Sequence, residues 1–395
     1  MGTLRSGIFP PDLAQTLERF HADRIPLDAL CARLRATGAD LHSLDRIVGA
    51  VEPPPVQCAE RPAPLGSRER RELEAEGTAA LRRGELGVVI LAGGMATRFG
   101  STVKALAALP CPGEPRFLDV KLADARRWNG AVPVALMTSF ATHDPIARAL
   151  GDGSPVMLAP QFVSLRVTPM GELFLTRDGV PSPHSTGHGD LPEALQLAGV
   201  LARLRRAGVR TALVSNVDNV GATIDPALYA MHRRSGAKVS VELVAKATGD
   251  RGGLPVLRDG RLVLAETFRL PGGFPDEAFP LFNTNTLWVD LDALEGQYPW
   301  TWCVVAKKVD GREAIQFERL VGELTWWNDT RYLHVERYGA GSRFLPIKEL
   351  DDLARKSDQL RAVVEAQRER EDRGRAHPPE TRLSHPPDRS RQSTF

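Results

Sequence analysis

A short apolar segment, Val88-Val89-Ile90-Leu91, runs straight into Gly93-Gly94. An unbroken apolar run of this length predicts a buried strand, and a buried strand needs cover on both faces. The loop after it carries Thr97, Arg98 and Gly100, and Lys104 follows. Glycines let backbone N–H groups approach an anion closely, and basic side chains add charge, so the segment points to a phosphate or a nucleotide. Neither GxxxxGK[ST] nor GxGxxG fits Gly93 to Arg98, so this is not a Walker loop or a dinucleotide fingerprint. An ordinary strand-to-helix turn is the competing reading.

The rest of the chain is organised around that strand. Residues 11–50 read as short amphipathic helices with Leu13, Leu17, Phe20, Leu27, Leu30 and Leu34 on their apolar stripes. Pro53-Pro54-Pro55, Pro62 and Pro64 mark a linker, and Ser67 to Arg83 reads as a charged helix with a solvated face. From Leu86 onward strands and helices alternate. Strands are expected at Val132 to Met137, Thr211 to Ser215 and Val239 to Ala245, and helices at Asp144 to Leu150 and Leu191 to Arg206. That order predicts an α/β fold with a mixed, mostly parallel sheet. A meander follows at Gly253 to Arg258, Arg261 to Ala265 and Thr286 to Val289, with a hairpin turn at Asp259-Gly260. From Arg361 the chain is dense in Arg, Glu, Pro and Ser, which predicts a disordered tail.

At 395 residues, 42% hydrophobic and 25% charged, the chain has the composition of a globular protein. A net charge of +2 is too balanced for nucleic-acid binding by bulk charge. Cys31, Cys58, Cys111 and Cys303 are scattered and form no CxxC pair, which argues against a zinc knuckle or a disulfide framework. No apolar run is long enough to span a bilayer, and no signal pattern opens the chain, so a cytoplasmic protein without a membrane partner is expected.

Four further segments look chemical. In Gly187-His188-Gly189-Asp190, two glycines around a histidine let a flat ring or phosphate come close; alternatively, Asp190 caps a helix. In Ser215-Asn216-Val217-Asp218-Asn219, a carboxylate follows a buried strand, where open α/β sheets place their ligands. Facing phosphates, Asp218 would suit Mg²⁺. In Phe282-Asn283-Thr284-Asn285, two amides at alternate positions of an extended segment would share a face and suit sugar hydroxyls. In Ala306-Lys307-Lys308-Val309-Asp310-Gly311, a lysine before a turn could reach a phosphate, or simply be solvated.

In this order the segments VPVALMTSFATHD, GHGDL, LVSNVDNVGATID, LFNTNTLWVDLDAL, AKKVDGREAIQFE and SRFLPIKELDDL resemble the UDP-glucose pyrophosphorylases of the eukaryotic type, from about Leu86 to Leu353. The resemblance implies a Rossmann-like nucleotidyltransferase domain over 85–358, after a helical region and linker over 1–84 and before a tail over 359–395. It implies Mg²⁺-assisted reaction of UTP with glucose 1-phosphate, giving UDP-glucose and pyrophosphate. Carried over by motif, Leu91, Ala92, Gly93 and Gly94 would line the nucleotide. Gln161 and Gly189 would read the uracil edge, His188 would sit near the sugar and α-phosphate, and Gly187 would bind substrate. Asn216 would bind substrate, and Asp218 would hold Mg²⁺. Gly253, Glu266, Asn283 and Asn285 would hold the glucosyl hydroxyls. Lys104, Lys307 and Arg98 would act on the phosphates.

Departures are visible. The loop reads GGMATRFG where the family has GGLGTSMG; its Thr97-Arg98 pair looks more like the UDP-N-acetylhexosamine pyrophosphorylases, and Val103 stands where a proline usually precedes the lysine. No C-terminal β-helix is expected, and with it no family-type octamer, so a monomer or weak dimer is expected. The same transfer to an N-acetylhexosamine 1-phosphate or to several sugar phosphates, and a non-catalytic nucleotide-sugar-binding regulator, are the alternative functions.

Overall fold

The computed structural model describes residues 9–37, 44–95, 102–128, 130–275, 279–339 and 341–376. Strand β2 (Leu86–Leu91) is buried along its length. Its side chains alternate between two cores, as the period of a strand demands. Val88 and Ile90 pack with Leu136, Leu213 and Trp288, while Val89 and Leu91 pack with Met137, Val214 and Leu243.

Around it lie β3 (Val134–Thr138), β4 (Met157–Pro160), β7 (Thr211–Asn216), β8 (Val239–Ala245), β11 (Leu281–Asp290) and β14 (Thr330–His334). The sheet order is β14-β8-β11-β7-β2-β3-β4. Only β11 runs antiparallel to its neighbours; the remaining pairings are parallel. The exposed side of β14 is covered by the linker, where Glu60 N donates to Tyr332 O and His334 N donates to Glu60 O. Smaller sheets are formed by β1 (Val51–Glu52) with β9 (Gly253–Arg258) and β10 (Arg261–Glu266), by β5 (Val163–Leu165) with β6 (Pro183–Ser185), and by the hairpin β12 (Cys303–Val309) and β13 (Arg312–Glu318). Asp259 and Gly260, at φ +50° and +78°, make the tight turn expected between β9 and β10.

The helices are α1 (Pro11–Arg19), α2 (Leu27–Thr37), α3 (Arg68–Arg82), α4 (Phe117–Arg126), α5 (His143–Leu150), α6 (Leu191–Leu197), α7 (Val200–Arg206), α8 (Pro226–Ser235), α9 (Leu291–Glu295), α10 (Leu324–Trp327), α11 (Leu350–Arg355) and α12 (Ser357–Ala376). The apolar stripes of α1 and α2 pack on Phe162, Val163 and Leu165 and on the hairpin residues Ile315 and Phe317.

Three expectations are corrected. The helix expected over Leu191 to Arg206 is two helices, because Gly199 takes φ +67° and ends the first one. Helix α3 is not merely a solvated face: Leu73, Gly77, Ala80 and Leu81 form a buried stripe, and Arg70 is buried in an ion pair with Asp225 at 2.5 Å. Nor does disorder begin at Arg361. Leu360, Val363, Val364 and Gln367 recur at helical spacing and are buried on one side of α12. A charge-rich composition concealed that stripe. No β-helix is present among the described residues, and none of their helices is long and apolar enough to cross a membrane.

Candidate active site

The glycine loop after β2 is propped from below by the segment after β3. Thr142 Oγ1 donates to Ala92 O at 2.9 Å, and Ser139 Oγ donates to Gly94 O at 2.6 Å. Leu91 and Ala92 are buried beneath it. The buried amide of Gln161 closes its side. In the orientation that satisfies its neighbours, it donates to Gly187 O (3.0 Å) and accepts from Gly94 N and Ser185 Oγ (each 3.3 Å). A Cβ at Gly93 would lie 2.4 Å from the end of the Gln161 amide, so any larger residue there would displace that side chain. The structure therefore brings Leu91, Ala92, Gly93, Gly94, Gln161 and Gly187 together. Ala96, Thr97, Arg98 and Gly100 lie outside the described residues.

Gly187 has φ +90°, and a Cβ there would meet Arg319 O at 2.5 Å. Gly189 lies equally close to the same segment and donates to Arg319 O at 2.8 Å. His188 Nδ1 accepts from Val321 N at 2.9 Å, which leaves Nε2 as the protonated, donating nitrogen of a neutral ring. Burial pulls its pKa down to about 4, so the ring is uncharged at neutral pH. Asp190 does not cap the following helix. Its carboxylate pairs with Arg319 Nη2 at 2.6 Å and accepts from Phe162 N and Thr186 Oγ1, so it anchors the loop.

The Asp218 loop leaves the neighbouring strand. Leu91 and Asn216 are register partners, and Val217 N donates to Leu91 O at 3.0 Å. Lys104 Nζ contacts Asp218 Oδ2 at 2.7 Å and also donates to Ile347 O at 3.0 Å. Asn219 binds the same C-terminal segment, accepting from Leu345 N at 2.9 Å and donating to Arg343 O at 3.1 Å. Arg343 is itself held by Glu242 through two contacts, at 2.5 and 2.8 Å, and Glu242 accepts from Trp288 Nε1 at 2.9 Å. This bidentate, fully hydrogen-bonded pair is the arrangement a buried charge requires.

A third group converges beside it. A Cβ on Gly253 would lie 3.1 Å from both Asn283 Nδ2 and Glu266 Oε1, so these three residues share one spot. Burial, with Glu318 nearby, pushes the Glu266 pKa up to about 7, while Arg269 and Lys348 oppose the shift. Asn283 and Asn285 do not alternate on one face as expected. The register between β11 and β8 slips between Asn283 and Thr286, and Asn285 takes φ +56°. The bulge turns Asn285 toward the Asp218 loop, where its Nδ2 donates to Asn216 Oδ1 at 2.9 Å.

Lys104, not Lys307, is the lysine brought onto Asp218. Lys307 lies on β12 opposite Ala314, on the hairpin face that carries Gln316 and Glu318. Sequence reading missed Lys348, whose carbonyl accepts from Lys104 at 3.4 Å and whose charge acts on Glu266. In the sequence its motif, SRFLPIK, speaks only through the family resemblance. Sequence reading also missed the props Ser139 and Thr142, the anchor Arg319 and the buried Lys121.

A family model described as UTP–glucose-1-phosphate uridylyltransferase matches residues 59–384. UTP–glucose-1-phosphate uridylyltransferase 2 of Dictyostelium discoideum is 29% identical over 295 residues, covering 68% of this chain and 57% of its own. The Saccharomyces cerevisiae enzyme is 30% identical over 305 residues, covering 70% and 60%. The chain thus spans somewhat over half the length of these relatives. Among solved structures, UDP-glucose phosphorylase from Trypanosoma brucei superposes with TM-score 0.66 at 24% identity, covering 86% of this chain and 77% of that one. A uridine diphosphate N-acetylglucosamine pyrophosphorylase from the same organism gives 0.67 at 19%, covering 78% and 72%. At these identities the likeness establishes the fold alone: an α/β architecture around a mixed, mostly parallel sheet, shared with these proteins. With the family model matched over most of its length, the chain belongs to the UTP–glucose-1-phosphate uridylyltransferase family.

Proposed function

We propose that the protein transfers a uridylyl group from UTP to glucose 1-phosphate, giving UDP-glucose and pyrophosphate. The observation that carries this reading is the junction of three groups: the glycine loop, the Lys104–Asp218 pair and the Gly253, Glu266, Asn283 cluster. Asn216 links the last two through Asn285. A phosphate oxygen of the sugar 1-phosphate attacks the α-phosphorus of UTP in line, and pyrophosphate leaves. The protein's task is to position two anions that repel each other and to neutralise the charge that develops. Gln161 and the backbone of Gly93, Gly94 and Gly189 face the base. His188 offers its Nε2 proton to an oxygen, Lys104 and Lys307 serve phosphates, and Glu266 with Asn283 and Asn285 receives sugar hydroxyls.

Among the described residues no three His, Cys, Asp or Glu side chains gather into a self-sufficient metal centre. Asp218 nevertheless fits Mg²⁺, which takes one or two carboxylates when phosphate and water complete its shell. When bound, Mg²⁺ would neutralise the UTP phosphates beside Asp218.

A second reading, the same transfer to an N-acetylhexosamine 1-phosphate, is favoured by one observation. A cavity of about 630 Å³ adjoins Glu266, lined by Arg251, Gly252, Phe268 and Phe274 among others, and leaves room beside the sugar. Turnover of UTP with glucose, galactose and N-acetylglucosamine 1-phosphates decides between them. The leading reading expects glucose 1-phosphate to have the highest kcat/KM. Comparable values for N-acetylglucosamine 1-phosphate would favour the second, and no pyrophosphate release with any sugar would overturn both.

A further inference from the structure

Helix α4 turns one face toward the loop that carries Asp218. Lys121 and Asp124 lie on that face, and Arg127, the residue that caps the helix, follows three positions on. Asp124 Oδ2 accepts from Ile224 N at 2.6 Å, Arg127 donates to Ile224 O, and the two side chains pair at 3.0 Å. They fix the chain where it leaves the loop.

Lys121 spans the loop itself. Its Nζ donates to Ser215 Oγ at 3.2 Å and to Ala222 O at 2.7 Å. Ser215 lies near the end of β7, one residue short of the turn over 217–221, and Ala222 is the residue after that turn, so one ammonium ties both ends. The side chain is 6% exposed, with Asp124, Asp218 and Glu242 attracting its charge and Arg343 repelling it. Burial draws its pKa down to about 7. An ammonium costs more to bury than an apolar side chain of similar length, so stability alone is a poor reason for a lysine here.

We propose that Lys121 is a positioning residue that holds the turn over 217–221 closed and so sets the Asp218 carboxylate against Lys104 and the phosphate-bound cation. The cation part rests on the uridylyltransferase reading; the clamp does not.

Two variants test it, Lys121→Met and Ser215→Ala, with two readouts. The first is amide hydrogen exchange over residues 216–222, which reports local opening. The second is the Mg²⁺ dependence of turnover with UTP and glucose 1-phosphate. Groups that orient a ligating side chain are worth at least about tenfold in metal affinity or activity. Lys121→Met should raise exchange in that segment and the half-saturating Mg²⁺ concentration by about this factor, leaving β2 and β3 protected and the KM for glucose 1-phosphate unchanged. Ser215→Ala keeps the Ala222 contact and should move both readouts less, in the same direction.

Wild-type exchange and Mg²⁺ dependence in Lys121→Met would overturn the proposal. So would a uniform loss of protection across the sheet, the mark of a merely structural role. If Lys121→Met does not fold, Ser215→Ala decides by the same exchange readout. If the wild type turns over no sugar phosphate, the activity reading fails, and the exchange comparison still decides the clamp.

Discussion

Lys104 and Asp218 stand 114 positions apart in the chain and 2.7 Å apart in space. The residue types were visible in the sequence, but the ion pair was not, because it depends on β2 and β7 lying side by side. On the proposed function, Lys104→Ala removes one preorganised charge facing the phosphates and should lower kcat by about a hundredfold. Steady-state rates at saturating UTP check this, and a wild-type kcat would remove Lys104 from the chemistry. The histidines give a second residue-scale expectation. Burial holds His184 at a pKa of about 3 and His188 at about 4, both below the ordinary value of about 6.5. A depressed folded pKa contributes stability that is complete above the unfolded value and is lost as pH falls through the folded one. Stability should therefore drop between pH 6.5 and 3, and His184→Gln should flatten the decline. Urea midpoints measured across that range test it; an unchanged slope in the variant would refute it.

Among the elements, α12 diverges most from its composition. Its apolar stripe lies within a segment so rich in Arg and Glu that the average conceals it, and burial of Leu360, Val363 and Val364 needs α4 in place. Gln367 Nε2 also donates to Val220 O at 3.0 Å, which ties α12 to the Asp218 loop. A chain ending at Gln359 loses three buried apolar side chains and should lose about 5 kcal/mol of stability. Denaturant unfolding of the truncated protein measures the loss, and an unchanged midpoint would show that α12 does not contribute to the core. The bulge in β11 is a similar case. Alternation in FNTN reads as a flat strand, yet the slip after Asn283 sends the two amides to different partners.

At the scale of the whole molecule, the N-terminal helices cover part of the wall behind the loop that carries Gln161. Leu13, Leu17, Phe20 and Leu30 pack with Phe162, Val163, Ile315 and Phe317, and Val163 N donates to Phe20 O at 3.0 Å. Removing residues 1–37 should expose that wall and lower Tm, which scanning calorimetry would show; an unchanged Tm would mean the helices merely rest on it. The buried β2 run, the parallel alternation after it and the order of the GHGD, SNVDN, FNTN and SRFLPIK segments were legible in the sequence. These are local patterns, set by periodicity and by the short reach of turns. What only the tertiary structure decided are the long-range pairings: Lys104 with Asp218, Asp190 with Arg319, Arg343 with Glu242, and Lys121 across the mouth of the Asp218 loop. Each joins a charge to a partner on another element, and a charge buried away from water must find such a partner wherever the fold supplies one.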